Sequence, residues 1–154
     1  MTPISSALLL GRYVNRVRKR LGLTLSDLSM LSQISIPVLS KIERGLVRGD
    51  VDIDVSLFRL LPQLGIAVYL RLDERVIKVI SRQDLARVII EARRHQGLKQ
   101  TELAGLLNIS IPTMNKIERA AKDGESRDVR LKLVLKVLEG LGIELLLDSG
   151  EAAC

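Results

Sequence analysis

The stretch Gly22-Leu-Thr-Leu-Ser-Asp-Leu-Ser-Met-Leu-Ser-Gln-Ile-Ser-Ile-Pro-Val-Leu-Ser-Lys-Ile-Glu-Arg-Gly45 decides the fold, because the chain contains it twice. It returns 75 positions later as Gly97-Leu-Lys-Gln-Thr-Glu-Leu-Ala-Gly-Leu-Leu-Asn-Ile-Ser-Ile-Pro-Thr-Met-Asn-Lys-Ile-Glu-Arg-Ala120, with 12 of the 24 aligned positions identical. Identity is concentrated in Ile34-Ser-Ile-Pro37 against Ile109-Ser-Ile-Pro112, and in Lys41-Ile-Glu-Arg44 against Lys116-Ile-Glu-Arg119. An internal duplication of this kind sets the architecture before any single motif is weighed.

Each copy reads as two short helices joined by a tight turn, the geometry of a helix-turn-helix. In the first copy Thr24, with Asp27 three residues on, starts a helix over about 25–32 whose apolar positions are Leu25, Leu28 and Leu31. Ser35 caps the next helix, and Pro37 costs nothing in its first turn, where the missing N–H has no intrahelical partner. Leu39 and Ile42 point inward, and Gly45 stops the helix.

Working outward, Leu9, Leu10, Tyr13, Val14 and Val17 recur at helical spacing after Ser5 or Ser6, and Gly22 ends that first helix. Downstream lie a loop over 46–54, a fourth helix over Val55–Leu64 interrupted near its end by Pro62, and a β-prone run over 66–72. Asp73-Glu-Arg75 reads as a turn, and residues 76–80 as a second short strand or an extended linker.

The second copy repeats the plan. Ser81 and Asp84 open a helix carrying Leu85, Val88, Ile89 and Ala92, and Gly97 ends it. Thr101–Leu107 is the second helix, and Ser110 caps the third. A polar loop spans 121–128, and Val129–Leu141 is a helix with Leu131, Val134, Leu135 and Leu138 apolar. A strand follows over 143–147. One strand per unit cannot satisfy its backbone alone, so the run at 66–72 is expected to pair with the one at 143–147. The fold class is therefore mainly α: two tandem four-helix units, residues 1–73 and 74–154, joined by a small β-sheet as an intramolecular pseudo-dimer. No Gly/Ser- or Pro-rich tract separates the halves, so docked units are expected.

Composition narrows the partners. Formal net charge is +6 and the pI near 9.8. Residues 1–77 carry 11 basic and 7 acidic side chains, and residues 78–154 carry 13 and 11, so both halves are positive, as suits a polyanion. Tyr13, Phe58 and Tyr69 are the only aromatic residues, which argues against stacking on single-stranded nucleic acid. The single cysteine, Cys154, allows no intramolecular disulfide. The apolar run from Ser6 to Leu10 is too short for a membrane span and is followed at once by Arg12, Arg16 and Arg18. A cytoplasmic, nucleoid-associated protein with no membrane partner is expected. No metal cluster, nucleophile constellation or phosphate-cradling glycine loop is visible, so neither a cofactor nor an enzyme is expected.

The ordered set Gly-Leu-[Thr/Lys]-x-[Ser/Thr]-[Asp/Glu]-Leu, Ile-Ser-Ile-Pro and Lys-Ile-Glu-Arg, twice over, resembles the lambda-repressor-like helix-turn-helix family of the Xre type. The Gly-Ile-Glu-Leu-Leu-Leu ending is similar to the HipB-like branch, whose subunits dimerise through such a strand. The resemblance covers nearly the whole chain. It implies that the third helix of each unit, about 35–44 and 110–119, enters a major groove of double-stranded DNA. Ile36, Pro37, Ser40 and Lys41, with Ile111, Pro112, Asn115 and Lys116, match base-facing positions. Lys41 and Lys116 would donate to guanine, Asn115 would read adenine, and Ile36 and Ile111 would touch thymine methyls. Ser35, Arg44, Ser110, Thr113 and Arg119 suit phosphates.

Gln100 matches a glutamine that contacts backbone phosphate, whereas the first unit has Leu25 there, which makes the second unit the more conventional reader. Arg18 with Glu43, and Arg93 with Glu118, match a structural ion pair. Ser35 and Ser110 would cap their helices with or without DNA. Arg16, Lys19, Arg20 and Arg94 suit either phosphate or solvent, and His95 is expected to be exposed and idle.

The expected function is a sequence-specific transcriptional regulator, with repression favoured, on an operator with two non-identical half-sites about 34–36 Å apart. The rivals are an antitoxin that also binds a toxin, and a protein–protein adaptor or coactivator; RNA polymerase is a further partner to consider, as is a second copy of the chain. With no separate ligand domain, a small-molecule effector is not expected.

Overall fold

The computed structural model describes residues 1–122 and 128–150. Residues 123–127 of the polar loop, and Cys154 at the end of the second unit, lie outside that description. Among the described residues the chain is mainly helical, with eight helices and one four-stranded antiparallel sheet.

Helix α1 (Ala7–Arg20) begins at Ser6, whose hydroxyl accepts the Leu9 N–H at 3.2 Å. Helix α2 (Leu25–Ser32) opens on a reciprocal cap: Thr24 Oγ1 accepts from the Asp27 N–H, and Asp27 Oδ2 accepts from the Thr24 N–H. Ser35 caps α3 (Ile36–Glu43), with Pro37 in its first turn. After a π-helical segment, Asp54–Arg59, comes α4 (Leu60–Gln63). The second half holds α5 (Arg82–His95), α6 (Gln100–Leu106), α7 (Ile111–Arg119) and α8 (Leu131–Gly140). Gly22 and Gly97, each with φ +71°, end α1 and α5 in the left-handed conformation that glycine enters without steric cost.

Three local expectations change. The fourth helix of the first half is not a regular α-helix over 55–64, because its first part is π-helical and the Leu60 N–H reaches back to the Val55 carbonyl. Pro62 accounts for this: it lacks an N–H, and its ring would collide with the carbonyl four residues earlier in a tight α-turn, which the wider turn relieves. Leu31 is not a core position, being 51% exposed. The inward residues of α2 are Leu25, Leu28 and Ser32, one face at helical spacing, and Leu31 falls off it. Leu9 is likewise on the outside of α1.

The sheet holds more than the expected pair of strands. Strands β1 (Thr2–Pro3), β2 (Ala67–Leu72), β3 (Arg75–Val79) and β4 (Ile143–Asp148) lie in the order β1-β4-β2-β3. β2 and β4 pair antiparallel from Ala67↔Asp148 to Leu72↔Ile143. β3 folds back on β2 through the turn at Asp73, whose φ is +54°.

The register repeats with the halves exchanged. Thr2 faces Leu147 and Pro3 faces Leu146, while Ile77 faces Leu70 and Lys78 faces Tyr69. Ile77 is 75 positions after Thr2, and Leu147 is 77 after Leu70, the offset of Gly142 from Gly65. Each half thus lends its leading strand to the other half's closing strand. Two clefts of about 250 and 260 Å³ follow the same exchange, one bounded by Ile4, Leu138 and Leu145, the other by Leu61's neighbour Pro62, Val68 and Val79.

A second seam joins the halves. The Ile53 N–H donates to the Val129 carbonyl and the Leu131 N–H to the Val51 carbonyl, both at 2.9 Å. Asp52 Oδ2 accepts the Val129 N–H, and Asp50 Oδ1 accepts the Lys132 N–H. Carboxylates of the first half therefore cap the start of α8, which has no cap of its own. No sequence signal marks this, since the partners lie some eighty residues apart. Buried side chains of both halves form one continuous apolar cluster, from Leu10, Leu39 and Leu57 to Leu103, Met114 and Val134.

α1 crosses α3 closely at Gly11, where an added Cβ would lie 2.3 Å from the Ile42 carbonyl oxygen and 2.7 Å from that of Glu43. Both obstacles are backbone. Gly11→Ala is therefore expected to cost about 2 kcal/mol by forcing α1 off α3, read as a lowered melting temperature. The matching residue of the second half is Ala86, already buried there, so its replacement by glycine should open only a small void.

Candidate nucleic-acid interface

On α3 the fully buried residues are Leu39 and Ile42, and on α7 they are Met114 and Ile117, with Glu118 also buried. At 3.6 residues per turn this leaves Pro37, Ser40, Lys41 and Arg44 as one outward stripe, and Pro112, Asn115, Lys116 and Arg119 as its counterpart. Pro37, Lys41, Arg44, Pro112, Asn115 and Arg119 are exposed, while Ser40 and Lys116 are half-buried. Ile36 and Ile111, at the first position of each helix, are 44% and 53% exposed.

Ser35 and Ser110 stand exposed just before these stripes and accept the N–H groups of Val38 and Thr113. The Ser110 hydroxyl also donates to Thr113 Oγ1 at 2.6 Å, which holds the half-buried Thr113 against its own cap. Gln100 is half-buried at the first position of α6; Leu25, its counterpart, packs on the core instead.

Both helices are fixed from beneath in the same way. Arg18 Nε and Nη2 donate to Glu43 at 2.6 and 2.9 Å, and Nη1 donates to the Leu23 carbonyl. Arg93 does the same to Glu118, at 2.7 and 2.8 Å, and to the Leu98 carbonyl. One guanidinium thus ties the first helix, the turn before the second and the end of the third. Burial works to raise the Glu43 carboxyl, but hydrogen bonds from Arg18 and Asn15 outweigh it and hold its pKa below the ordinary value. Arg18 and Arg93 are both raised, chiefly by their bonds to Glu43 and Glu118.

Comparison with protein-family models, with curated proteins and with solved structures finds no match. The geometry of the chain itself carries the functional argument.

Three features escaped sequence reading. Arg44 lies back along α3 so that its Nε and Nη2 donate to the Ser40 hydroxyl at 3.1 and 2.6 Å. Leu31 and Leu106 occupy matched exposed sites at the ends of α2 and α6, the latter 72% exposed. Met30 is 80% exposed beside the first of these. The signal for Leu31 and Leu106 was present, since neither falls on the inward face of its helix. The bond between Ser40 and Arg44 had only its four-residue spacing as a sign.

Among the described residues no helix is long and apolar enough to cross a membrane, and no three metal-ligating side chains converge.

Proposed function

We propose that this chain is a sequence-specific double-stranded-DNA-binding regulator, acting as a repressor by occluding a promoter. In this reading it is two helix-turn-helix units, residues 1–73 and 74–154, fused into an intramolecular pseudo-dimer. α3 and α7 are its recognition helices, each offered to a major groove. The observation that carries the proposal is the repeated outward stripe: proline, a small polar residue, lysine and arginine on a helix whose opposite face is locked to the core. Support comes from the exchanged register of the sheet, which is what two like subunits would make, and from the seam at residues 51–53 and 129–131. A frame joined at two places holds the heads at a fixed separation, as half-sites one helical turn apart require.

Lys41 and Lys116 stand on the proposed reading stripe, and their ammonium groups would displace counterions from DNA. Binding to duplex DNA from the gene's own upstream region, measured across a salt series, tests the reading. The expected result is a sequence preference with a steep salt slope. Lys41→Ala and Lys116→Ala should each weaken binding and lower the slope by about 1. No preference for any duplex, with both variants unchanged, overturns the proposal.

A second reading has its own observation. Met30 and Leu31 on α2, and Leu106 at the matched place on α6, are exposed apolar residues of the helices that precede α3 and α7, which suits a protein partner such as a toxin, RNA polymerase or the target of an adaptor. Replacing Leu31 and Leu106 by serine separates the two readings: loss of function with DNA affinity intact favours the protein partner.

A further inference from the structure

We infer that the two heads read different bases at corresponding positions of their half-sites: guanine through a Ser40–Arg44 unit in the first, adenine through Asn115 in the second. The inference rests on the DNA-reading function proposed above and goes further, because it gives the protein a fixed orientation on its site.

α3 and α7 share Ile, Pro, Lys, Ile, Glu and Arg at matched positions and differ at three interior ones. Leu39 and Met114 are buried and reach nothing outside. Val38 packs against the core, and the Thr113 hydroxyl is held by Ser110. Ser40 against Asn115 is the remaining difference, and it lies on the outward stripe of each helix.

In the first head the Ser40 hydroxyl accepts two N–H groups from Arg44. Arg44 sits at the C-terminal end of α3, and this contact draws its guanidinium one turn back towards the end that would enter the groove. With its lone pairs occupied, Ser40 has only its proton to offer, and the guanidinium has no acceptor at all. The pair therefore presents donors alone. Guanine is the base whose major-groove edge presents two acceptors side by side, N7 and O6; thymine offers one beside a methyl group, and adenine adds an N6 donor that an all-donor pair would meet badly.

In the second head Asn115 is exposed and makes no side-chain hydrogen bond among the described residues. Its carboxamide offers a donor and an acceptor side by side, the complement of adenine N7 and N6. Lys41 and Lys116 are common to both heads and cannot separate them.

Selection from a random duplex pool supplies a site. Three versions then carry guanine and adenine, two guanines, or two adenines at the symmetry-related position. The intact protein should prefer the guanine/adenine duplex roughly tenfold over either matched one. Ser40→Asn should move the preference to the adenine/adenine duplex. Arg44→Lys, which keeps the charge but loses the fork, should weaken binding to the guanine/adenine duplex until it no longer exceeds that to the adenine/adenine one, abolishing discrimination against adenine in the first half-site. Circular dichroism of each variant confirms the fold. Equal affinity for all three duplexes, or an unmoved preference in Ser40→Asn, overturns this inference and leaves the DNA-binding function standing. Failure of the pool to yield any preferred sequence overturns both.

Discussion

Separating the chain between Asp73 and Glu74 is expected to leave neither half able to fold as a monomer. β2 belongs to the first half, yet its neighbours on both sides, β4 and β3, belong to the second. β4 is flanked by β1 and β2, both from the first half. Every strand pairing in the sheet, β1 with β4, β4 with β2 and β2 with β3, thus joins one half to the other, and the cut also breaks the turn that links β2 to β3. The inner residues Val68 and Leu70, now 4% and 0% exposed, would face water. The start of α8 would lose the carboxylates of Asp50 and Asp52. An isolated strand with unpaired N–H and C=O groups is not stable in water.

The expected measurement is a non-cooperative melt for residues 1–73 and 74–154 apart, and recovery of helical circular dichroism on mixing them in equal amounts. Because the two halves are alike, 1–73 has one other way to fold, with a second copy of itself taking the place of 74–154. Tyr69, which faces Leu146 in the intact chain, would then face another Tyr69. Any folded 1–73 should accordingly depend on concentration. A cooperatively folded 1–73 monomer at micromolar concentration would show that the strand exchange contributes little, and would remove the main support for a fused dimer.

The duplicated stretch made much of this legible. The caps at Thr24, Ser35, Ser81 and Ser110, the glycine stops at 22 and 97, and the pairing of 66–72 with the last strand are local or near-periodic features that residue type alone announces. The pairing of Arg18 with Glu43 and of Arg93 with Glu118 could be expected from resemblance. What stayed hidden was non-local. Thr2 and Pro3 have no pattern long enough to read as a strand, and they become one because β4 offers an open edge. Asp50 and Asp52 look like loop residues until α8 arrives beside them. The π-helical turn before Pro62 is a compromise between a proline and a core that still needs Leu57 and Leu60 inside, and composition alone could not choose it over a plain break. At the candidate interface, the residues on the stripe were readable from spacing, whereas the bond that turns Arg44 towards Ser40 depends on a rotamer.

Glu118→Ala is expected to lower stability by about 3 kcal/mol, which for a chain of this size corresponds to a melting temperature lower by roughly 6–12 °C. The side chains of Arg93 and Glu118 are only 10% and 7% exposed, so removing the carboxylate leaves a charged guanidinium buried without its counter-ion. Arg93 keeps only its bond to the Leu98 carbonyl. The desolvation cost of that stranded charge, more than the lost attraction, sets the size of the effect. Replacing both partners together, Arg93→Met with Glu118→Leu, should therefore recover a large part of the loss. If the double variant is as unstable as Glu118→Ala, the pair acts by positioning the turn at Leu98 and the end of α7, and the stranded-charge account fails. The first half adds a pH signature. The Glu43 carboxyl is held below its ordinary value of 4.5, so its contribution is fully present above that value and is lost as pH falls through the depressed one. Glu43→Gln should flatten the acid limb of the stability curve while costing less at neutral pH than Glu43→Ala, because the amide still accepts from Arg18. An acid limb unchanged in Glu43→Gln would mean that the Glu43 carboxyl does not govern acid unfolding.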